Sequence, residues 1–179
     1  MADGPEVEVD SAEEVQAAAG NYQQSSFQAM LKVKDIFSKE DLRKISDKIT
    51  EIEKSTSGEI RVSIRERRSL IERKLTLFDM ALYEFYRLGM DKTRDRAGVL
   101  IYVLLSERKL QIIADKGINE KVDSEIWQKI ADMMAEHFKS GKYLDGIING
   151  LDEIGKILAQ HFPIKPDDRN ELSNEVEIR

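Results

Sequence analysis

A run of seven consecutive apolar residues, Val99 to Leu105, constrains the fold of this chain more than any other feature. The run has the length of a β-strand, and its lack of alternation is typical of a central strand that is covered on both faces. An earlier segment, Glu59 to Arg65, alternates strictly between polar and apolar residues. Such alternation predicts a strand with one face in the core and the other exposed to water.

Helical patterns lie before and between these two strands. Ser38 and Asp41 form a capping box, and apolar residues then recur on one helical face as far as Ile52. Helical periodicity returns from Leu70 to Leu88, which connects the first strand to the second. A helical crossover between neighbouring strands makes them parallel.

The second strand is followed by a tight turn and a third strand, Lys109 to Ala114, which predicts an antiparallel hairpin. Two further helices are predicted, from Asp123 to Ser140 and from Tyr143 to Gln160. The predicted fold is therefore an α/β domain in which a small mixed β-sheet, built in the order αβαββαα, is flanked by helices.

Composition sets the broad class of protein. The length of 179 residues suits one domain, and the net charge of -6 argues against a nucleic-acid binder. Cysteine is absent, which excludes disulfides and thiolate metal sites. The amino terminus is acidic and lacks the apolar region of a signal peptide, and no stretch has the length of a membrane span. These features predict a cytoplasmic protein without a membrane span.

Three regions are predicted along the chain. Residues 1–34 are acidic with little to bury and are expected to be a mostly disordered tail. Residues 35–162 carry the α/β pattern, and residues 163–179 are expected to form a polar carboxy-terminal arm outside the core.

The predicted topology gathers three carboxylates at one edge of the sheet. Glu59 opens the first strand, Asp95 precedes the second and Asp115 closes the third, with Arg96 beside them. Such oxygen ligands suit calcium or magnesium, and paired carboxylates can also perform acid–base catalysis. The third interpretation is that the carboxylates simply form ion pairs with neighbouring arginines. No phosphate-binding loop, dinucleotide fingerprint or GxSxG elbow occurs, and two histidines without cysteine argue against a zinc site.

An ordered set of segments resembles the TPM domain family from about Phe37 to Phe162. The segments that carry the resemblance are Thr56–Val62, Leu88–Met90 with Thr93, Arg96–Val103, Ile113–Asn119, Trp127, His137–Phe138, Gly141 and Gly146. The ending, with His161–Pro163 and Asn170–Leu172, is similar to the short bacterial branch of the family.

The resemblance implies a sheet flanked by helices, a divalent-cation site in loops at one sheet edge and, in plant members, acid phosphatase activity. Its matched positions are Glu59, Asp95 and Asp115 as cation ligands and Arg96 as an anion contact. This chain departs from the family pattern at Ala97, where asparagine is usual, and at Ala114, where glycine is usual.

Two functions follow from these observations. The first is an interaction module that binds calcium or magnesium at the sheet edge and engages a protein partner. The alternative is a metal-assisted phosphatase that acts on phosphomonoesters, although the spacing of residues identifies no activated nucleophile.

Overall fold

A computed structural model describes residues 6–8 and 32–179 of the chain. The α-helices are α1 (Val33–Ile36), α2 (Lys39–Glu53), α3 (Leu77–Arg87), α4 (Lys116–Asn119), α5 (Ser124–Lys139) and α6 (Tyr143–His161). The strands are β1 (Glu6–Glu8), β2 (Glu59–Arg65), β3 (Gly98–Leu104), β4 (Lys109–Ala114) and β5 (Glu177–Ile178). Short 3₁₀ turns lie at Ile71–Lys74, Met90–Lys92 and Leu105–Glu107.

The strands form one mixed sheet in the order β1-β4-β3-β2-β5. β2 and β3 are parallel, with Glu59 opposite Gly98, and β3 and β4 are antiparallel, with Val99 opposite Ala114. The predicted α/β fold with a mixed sheet flanked by helices is therefore confirmed. Among the described residues, no helix combines the length and the apolar composition needed to cross a membrane.

Two short edge strands were not anticipated from the sequence. β1 pairs antiparallel with β4, and β5 pairs parallel with β2. The acidic tail predicted for residues 1–34 lies outside the described residues apart from 6–8 and 32–34. Strands of two or three residues are too short for any periodicity to reveal them, and both depend on a longer neighbour for their hydrogen bonds.

Apolar side chains cover both faces of the sheet. On one face, helices α2, α5 and α6 bury Ile49, Trp127 and Leu151 against the apolar side of β2. On the other face, α3 buries Leu77 and Phe85 against alternate residues of β3. β3 is buried along its whole length, as its continuous apolar run predicts.

The prediction that one face of β2 is exposed to water is wrong. Glu59 is 4% exposed, Arg61 is 6% exposed and Ser63 is fully buried. Helix α3 lies over part of this face, where the buried carboxylate of Glu84 accepts a hydrogen bond from Ser63 Oγ at 2.9 Å. Residues 163–179, called the arm below, lie over the remainder of this face. The arm donates a hydrogen bond to Glu59 and accepts one from Arg61. Polar alternation therefore indicated which side chains share a face, and not whether water reaches them.

The helix predicted from Leu70 to Leu88 is shorter than its periodicity suggested. α3 begins after Thr76, whose hydroxyl accepts from Asp79 N at 3.0 Å while Asp79 Oδ2 accepts from Thr76 N at 3.0 Å. This capping box satisfies amide groups that the first helical turn leaves without partners. Leu75 lies within the predicted helix but is 42% exposed, because it precedes the helix that the structure has.

The substitution Thr76→Ala should lower the free energy of unfolding by about 1 kcal/mol, because it removes the hydroxyl that caps α3. Thr76 is exposed, so the loss would come from the cap and not from core packing. Urea denaturation would measure it, with Thr76→Ser as the control that keeps the hydroxyl. Equal losses in the two variants would contradict the capping role.

Candidate functional site

The predicted cluster of carboxylates lies at one edge of the sheet, called the polar edge below. The edge is formed by the start of β2 at Glu59, the start of β3 after Asp95 and Arg96, and the end of β4 before Asp115. Parallel pairing of β2 with β3 and antiparallel pairing of β3 with β4 bring these three positions to the same end of the sheet. The topology behind the site prediction is therefore correct, while the partners of each side chain were not foreseeable from it.

Asp115 is held by Arg96. The guanidinium donates from Nε to Asp115 Oδ2 at 2.7 Å and from Nη2 to Oδ1 at 2.8 Å. Asp115 also caps α4 by accepting from Lys116 N at 2.7 Å. This bidentate geometry is the strong form of an arginine–carboxylate pair, and it realises the ion-pair interpretation for these two residues.

The backbone around Arg96 is tightly constrained. Arg96 adopts a left-handed conformation with φ of 52°, which is uncommon for a residue with a side chain. Gly117 lies directly against this turn, and a β-carbon there would meet the carbonyl oxygen of Asp95 at 2.5 Å. Gly117 N also donates to Arg96 O at 3.0 Å. The loop before β3 is thus fixed against the start of α4, which sets the direction of the Arg96 side chain.

Asp95 binds a cationic group of the arm. Both of its carboxylate oxygens accept from Lys165 Nζ, each at 2.7 Å. Ser57 Oγ donates to Asp95 Oδ2 at 2.8 Å. Partial burial opposes ionisation of Asp95, but the hydrogen bonds from Lys165 and Ser57 outweigh it and hold its pKa below the ordinary range. Asp95 is therefore an ionised carboxylate whose charge is balanced by one ammonium group.

Glu59 is occupied by backbone groups of the arm. Its Oε1 accepts from Glu171 N at 2.9 Å and its Oε2 from Leu172 N at 3.3 Å. Burial raises the pKa of Glu59, and the nearby carboxylates of Glu171 and Asp168 raise it further, against the lowering effect of the two amides. Asp168 shows the same pattern, since burial and the neighbouring carboxylates of Asp95 and Glu171 raise its pKa.

The arm is fastened at its start and in its middle to the polar edge, and at its end to β2. At its start, Thr56 Oγ1 donates to Phe162 O at 2.6 Å and Ile164 N donates to Ser55 O at 3.2 Å. In its middle, Arg94 Nη2 donates to Asp168 Oδ1 at 2.9 Å. Its end is β5, which adds to the free side of β2. The arm therefore crosses the whole polar edge before joining the sheet.

The polar edge has donors of the right chemistry for a hard cation but no preformed ligand set. Carboxylate oxygens are the ligands that calcium and magnesium prefer. Within residues 32–179, however, no three or more histidine, cysteine, aspartate or glutamate side chains are grouped so that they could hold a metal ion. Glu59, Asp95 and Asp115 share an edge but each is bound by separate partners, so their role as ligands stays a prediction.

Sequence reasoning missed two groups that control the charge of this edge. Lys165 lies in the arm, 70 positions from Asp95, and no local pattern links the two. Glu53 ends α2, and its Oε1 accepts from Ile60 N at 3.0 Å. Burial is the main reason that the pKa of Glu53 rises from 4.5 to about 7, and the charge of Glu59 adds to it. The sequence gives only a weak signal for this role, which is that an acidic residue occupies the last helical turn, where cations are favoured.

The raised pKa of Glu53 predicts a pH dependence of stability. The folded state keeps a proton on Glu53 up to about pH 7, whereas the ordinary pKa of this side chain is 4.5. The stabilisation that comes from this proton is fully present below pH 4.5 and is lost as pH rises through about 7. The substitution Glu53→Gln keeps the acceptor for Ile60 N and removes the charge. It should raise the free energy of unfolding by about 1 to 2 kcal/mol above neutral pH and flatten its pH dependence.

Urea denaturation of both proteins across this pH range would measure the effect. The exposed Glu51 lies in the same helix, so Glu51→Gln is a matched control that should leave the pH profile unchanged. A profile for Glu53→Gln that parallels that of the unmodified protein would show that Glu53 does not carry the dependence.

Comparisons with known proteins agree with this architecture. The chain is similar to the BA42 protein of the psychrophilic bacterium Bizionia argentinensis, whose structure was determined by NMR. The two share 35% sequence identity with a TM-score of 0.74, over 83% of this chain and 99% of that one. A solution NMR structure of the N-terminal domain of a protein from P. gingivalis has the same fold, with 19% identity and a TM-score of 0.60 over 74% of this chain and 85% of that one.

The family assignment rests on the sequence match. No curated protein matches the chain at a significant level. The family model described as TPM domain matches residues 31–157, which is most of the chain and includes all four predicted site residues. The match confirms the resemblance seen in the ordered segments of the sequence. This chain belongs to the TPM domain family.

Proposed function

We propose that this TPM domain is an interaction module whose polar edge binds calcium or magnesium in exchange for the ammonium group of Lys165. The observation that carries the proposal is the geometry at Asp95, where both carboxylate oxygens accept from one cationic group at 2.7 Å. A carboxylate that already binds a monovalent cation through both oxygens has the chemistry to bind a divalent one.

Acidic neighbours of Asp95 support this exchange. Burial and surrounding carboxylates raise the pKa values of Glu59 and Asp168, and Asp95 contributes to the rise at Asp168. Excess negative charge at a partly buried place is stabilised by an added cation. Asp95 and Glu59 are therefore the carboxylates that would hold the ion, while Asp168 would leave with the arm.

Asp115 has a different role in this proposal. Its bidentate pair with Arg96 and its bond to Lys116 N use both of its oxygens. Leaving Arg96 would break a strong ion pair and remove the cap of α4, so Asp115 fits a structural role better than that of a ligand. Arg96, with 48% of its side chain exposed, retains surface for contact with an anion.

The position of the arm supports an interaction with a protein. Exchange of Lys165 for a divalent ion removes one of the bonds that hold the arm across the polar edge. The arm ends in β5, which covers the side of β2 that would otherwise offer hydrogen bonds to another strand. Release of the arm would expose that side, and strand addition is a common mode of peptide binding.

Cation titration followed by backbone amide NMR tests the proposal. Calcium or magnesium should give saturable shifts near Asp95 and along the arm. Lys165→Met removes the competing ammonium and should tighten cation binding about tenfold, whereas Asp95→Asn should abolish it. Lys116→Met removes an exposed ammonium from the same edge and is the matched control, for which little change is expected. Equal affinity in Lys165→Met and the unmodified protein would refute the exchange.

The alternative function is metal-assisted hydrolysis of phosphomonoesters. The half-exposed guanidinium of Arg96 favours it, because such a group could bind a phosphate and offset negative charge that develops during hydrolysis. Turnover of a generic phosphomonoester in the presence of the cation, and its loss in Asp115→Asn, would support this function. Turnover that is indifferent to this substitution would point to a contaminating enzyme.

A further inference from the structure

The loop between β2 and α3 presents two adjacent aliphatic side chains to solvent. Residues 67–75, called the basic loop below, include Leu70 and Ile71, which are 75% and 91% exposed. They are the most exposed large apolar side chains in the described part of the chain. Single exposed apolar residues are ordinary, but two at the tip of one loop form a protrusion that water solvates poorly.

The exposure of this tip is fixed by the structure around it. Glu72 Oε2 accepts from Ser69 N at 2.8 Å and from Arg65 Nη2 at 2.6 Å. Arg68 forms an ion pair with Glu107 in the turn after β3. The 3₁₀ turn Ile71–Lys74 then leads into the capped start of α3. These bonds hold the base of the loop and direct Leu70 and Ile71 outward.

Basic side chains flank the apolar tip. Arg67, Arg73 and Lys74 are exposed, and no salt bridge joins them to an acidic group within residues 32–179. The one acidic residue of the loop, Glu72, is paired with Arg65. The loop therefore carries a local positive charge on a chain whose net charge is -6.

We propose that the basic loop docks on an anionic lipid surface, with Leu70 and Ile71 entering the headgroup region and Arg67, Arg73 and Lys74 contacting lipid phosphates. An aliphatic tip ringed by cations matches the two layers of such a surface, which are apolar below and negatively charged above. A protein partner would need an apolar pocket ringed by acidic groups at the same spacing, so the lipid surface is the simpler match to a protruding tip.

This docking surface is separate from the polar edge. β2 runs from Glu59 at the polar edge to Arg65 at the basic loop, so the two sites lie at opposite ends of a seven-residue strand, about 20 Å apart. A domain docked through the basic loop would hold its polar edge away from the lipid. The inference goes beyond the proposed cation exchange and does not depend on it.

Vesicle co-sedimentation of the full chain tests the proposal. The protein should bind vesicles of phosphatidylcholine mixed with an equal part of phosphatidylglycerol, and it should not bind vesicles of phosphatidylcholine alone. Replacing the three flanking cations in Arg67→Gln/Arg73→Gln/Lys74→Gln should weaken binding about 100-fold, since each cation near an anionic surface contributes about tenfold or less. Leu70→Ser/Ile71→Ser should weaken it about tenfold.

A matched control removes the same charge at the other end of the molecule. Lys54→Gln/Lys92→Gln/Lys116→Gln replaces three exposed lysines near the polar edge and should leave vesicle binding nearly unchanged, because salt screens charges beyond about 10 Å. Unchanged amide NMR spectra away from the substitutions would show that all variants are folded. An equal loss in the control would overturn the proposal, and so would a lack of binding to anionic vesicles, which would favour an acidic protein as the partner.

A fluorescent label separates insertion from electrostatic adsorption. The chain has no cysteine, so Ile71→Cys gives a single labelling site for an environment-sensitive fluorophore. Its emission should shift to the blue on addition of anionic vesicles, while a label at Lys54→Cys should not respond. Vesicle binding without a blue shift at position 71 would overturn the insertion of the tip.

Discussion

The architecture of this domain depends on how β2 keeps charged side chains out of water. Glu59, Arg61 and Ser63 lie on one face of a strand in the interior of the sheet and are almost fully buried. A buried charge is costly unless it is paired and hydrogen-bonded, so each of these groups needs a partner of its own. Glu84 of α3 bonds Ser63, and the arm bonds both Glu59 and Arg61. The arm is therefore part of the folded domain, since it completes the partners of β2.

The same requirement shapes the polar edge. Lys165 balances Asp95, Arg96 balances Asp115, and backbone amides of the arm solvate Glu59. The three carboxylates thus have three kinds of partner, which differ in how readily they can be replaced. An ammonium on a flexible side chain exchanges more readily than a bidentate guanidinium or a pair of backbone amides. This order of exchange is why the proposed cation site centres on Asp95.

The polar edge and the basic loop give the domain two distinct ends. The arm carries charged groups to the start of β2, where they meet the opposite charges of the sheet edge. At the far end of the same strand, the basic loop leaves cations and aliphatic side chains facing solvent. One end is internally neutralised and the other is not, so they are suited to different partners. A small ion fits the first, and an extended anionic surface fits the second.

Periodicity and topology determined the central elements of this protein. The apolar run of β3, the alternation of β2 and the hairpin to β4 specified the mixed sheet, because side-chain period and strand length are local properties. Chain connectivity then placed Glu59, Asp95 and Asp115 at one edge, since a helical crossover requires parallel strands. The segments shared with TPM domains lie at the ends of these elements, and they are local patterns too, so the sequence was enough to identify the family.

Only the tertiary structure decided which groups bind one another. Glu59 and Lys165 are separated from their partners by more than a hundred positions and by 70 positions, respectively, and no periodic pattern extends over such distances. The sequence indicated a polar face on β2, but the arm and α3 bury this face. Glu59, Arg61 and Ser63, which water would otherwise solvate, therefore need hydrogen-bond or charge partners within the protein. Burial is a property of the assembled chain, and with it the tertiary structure determined pKa values, ion pairs and the place where a cation could enter.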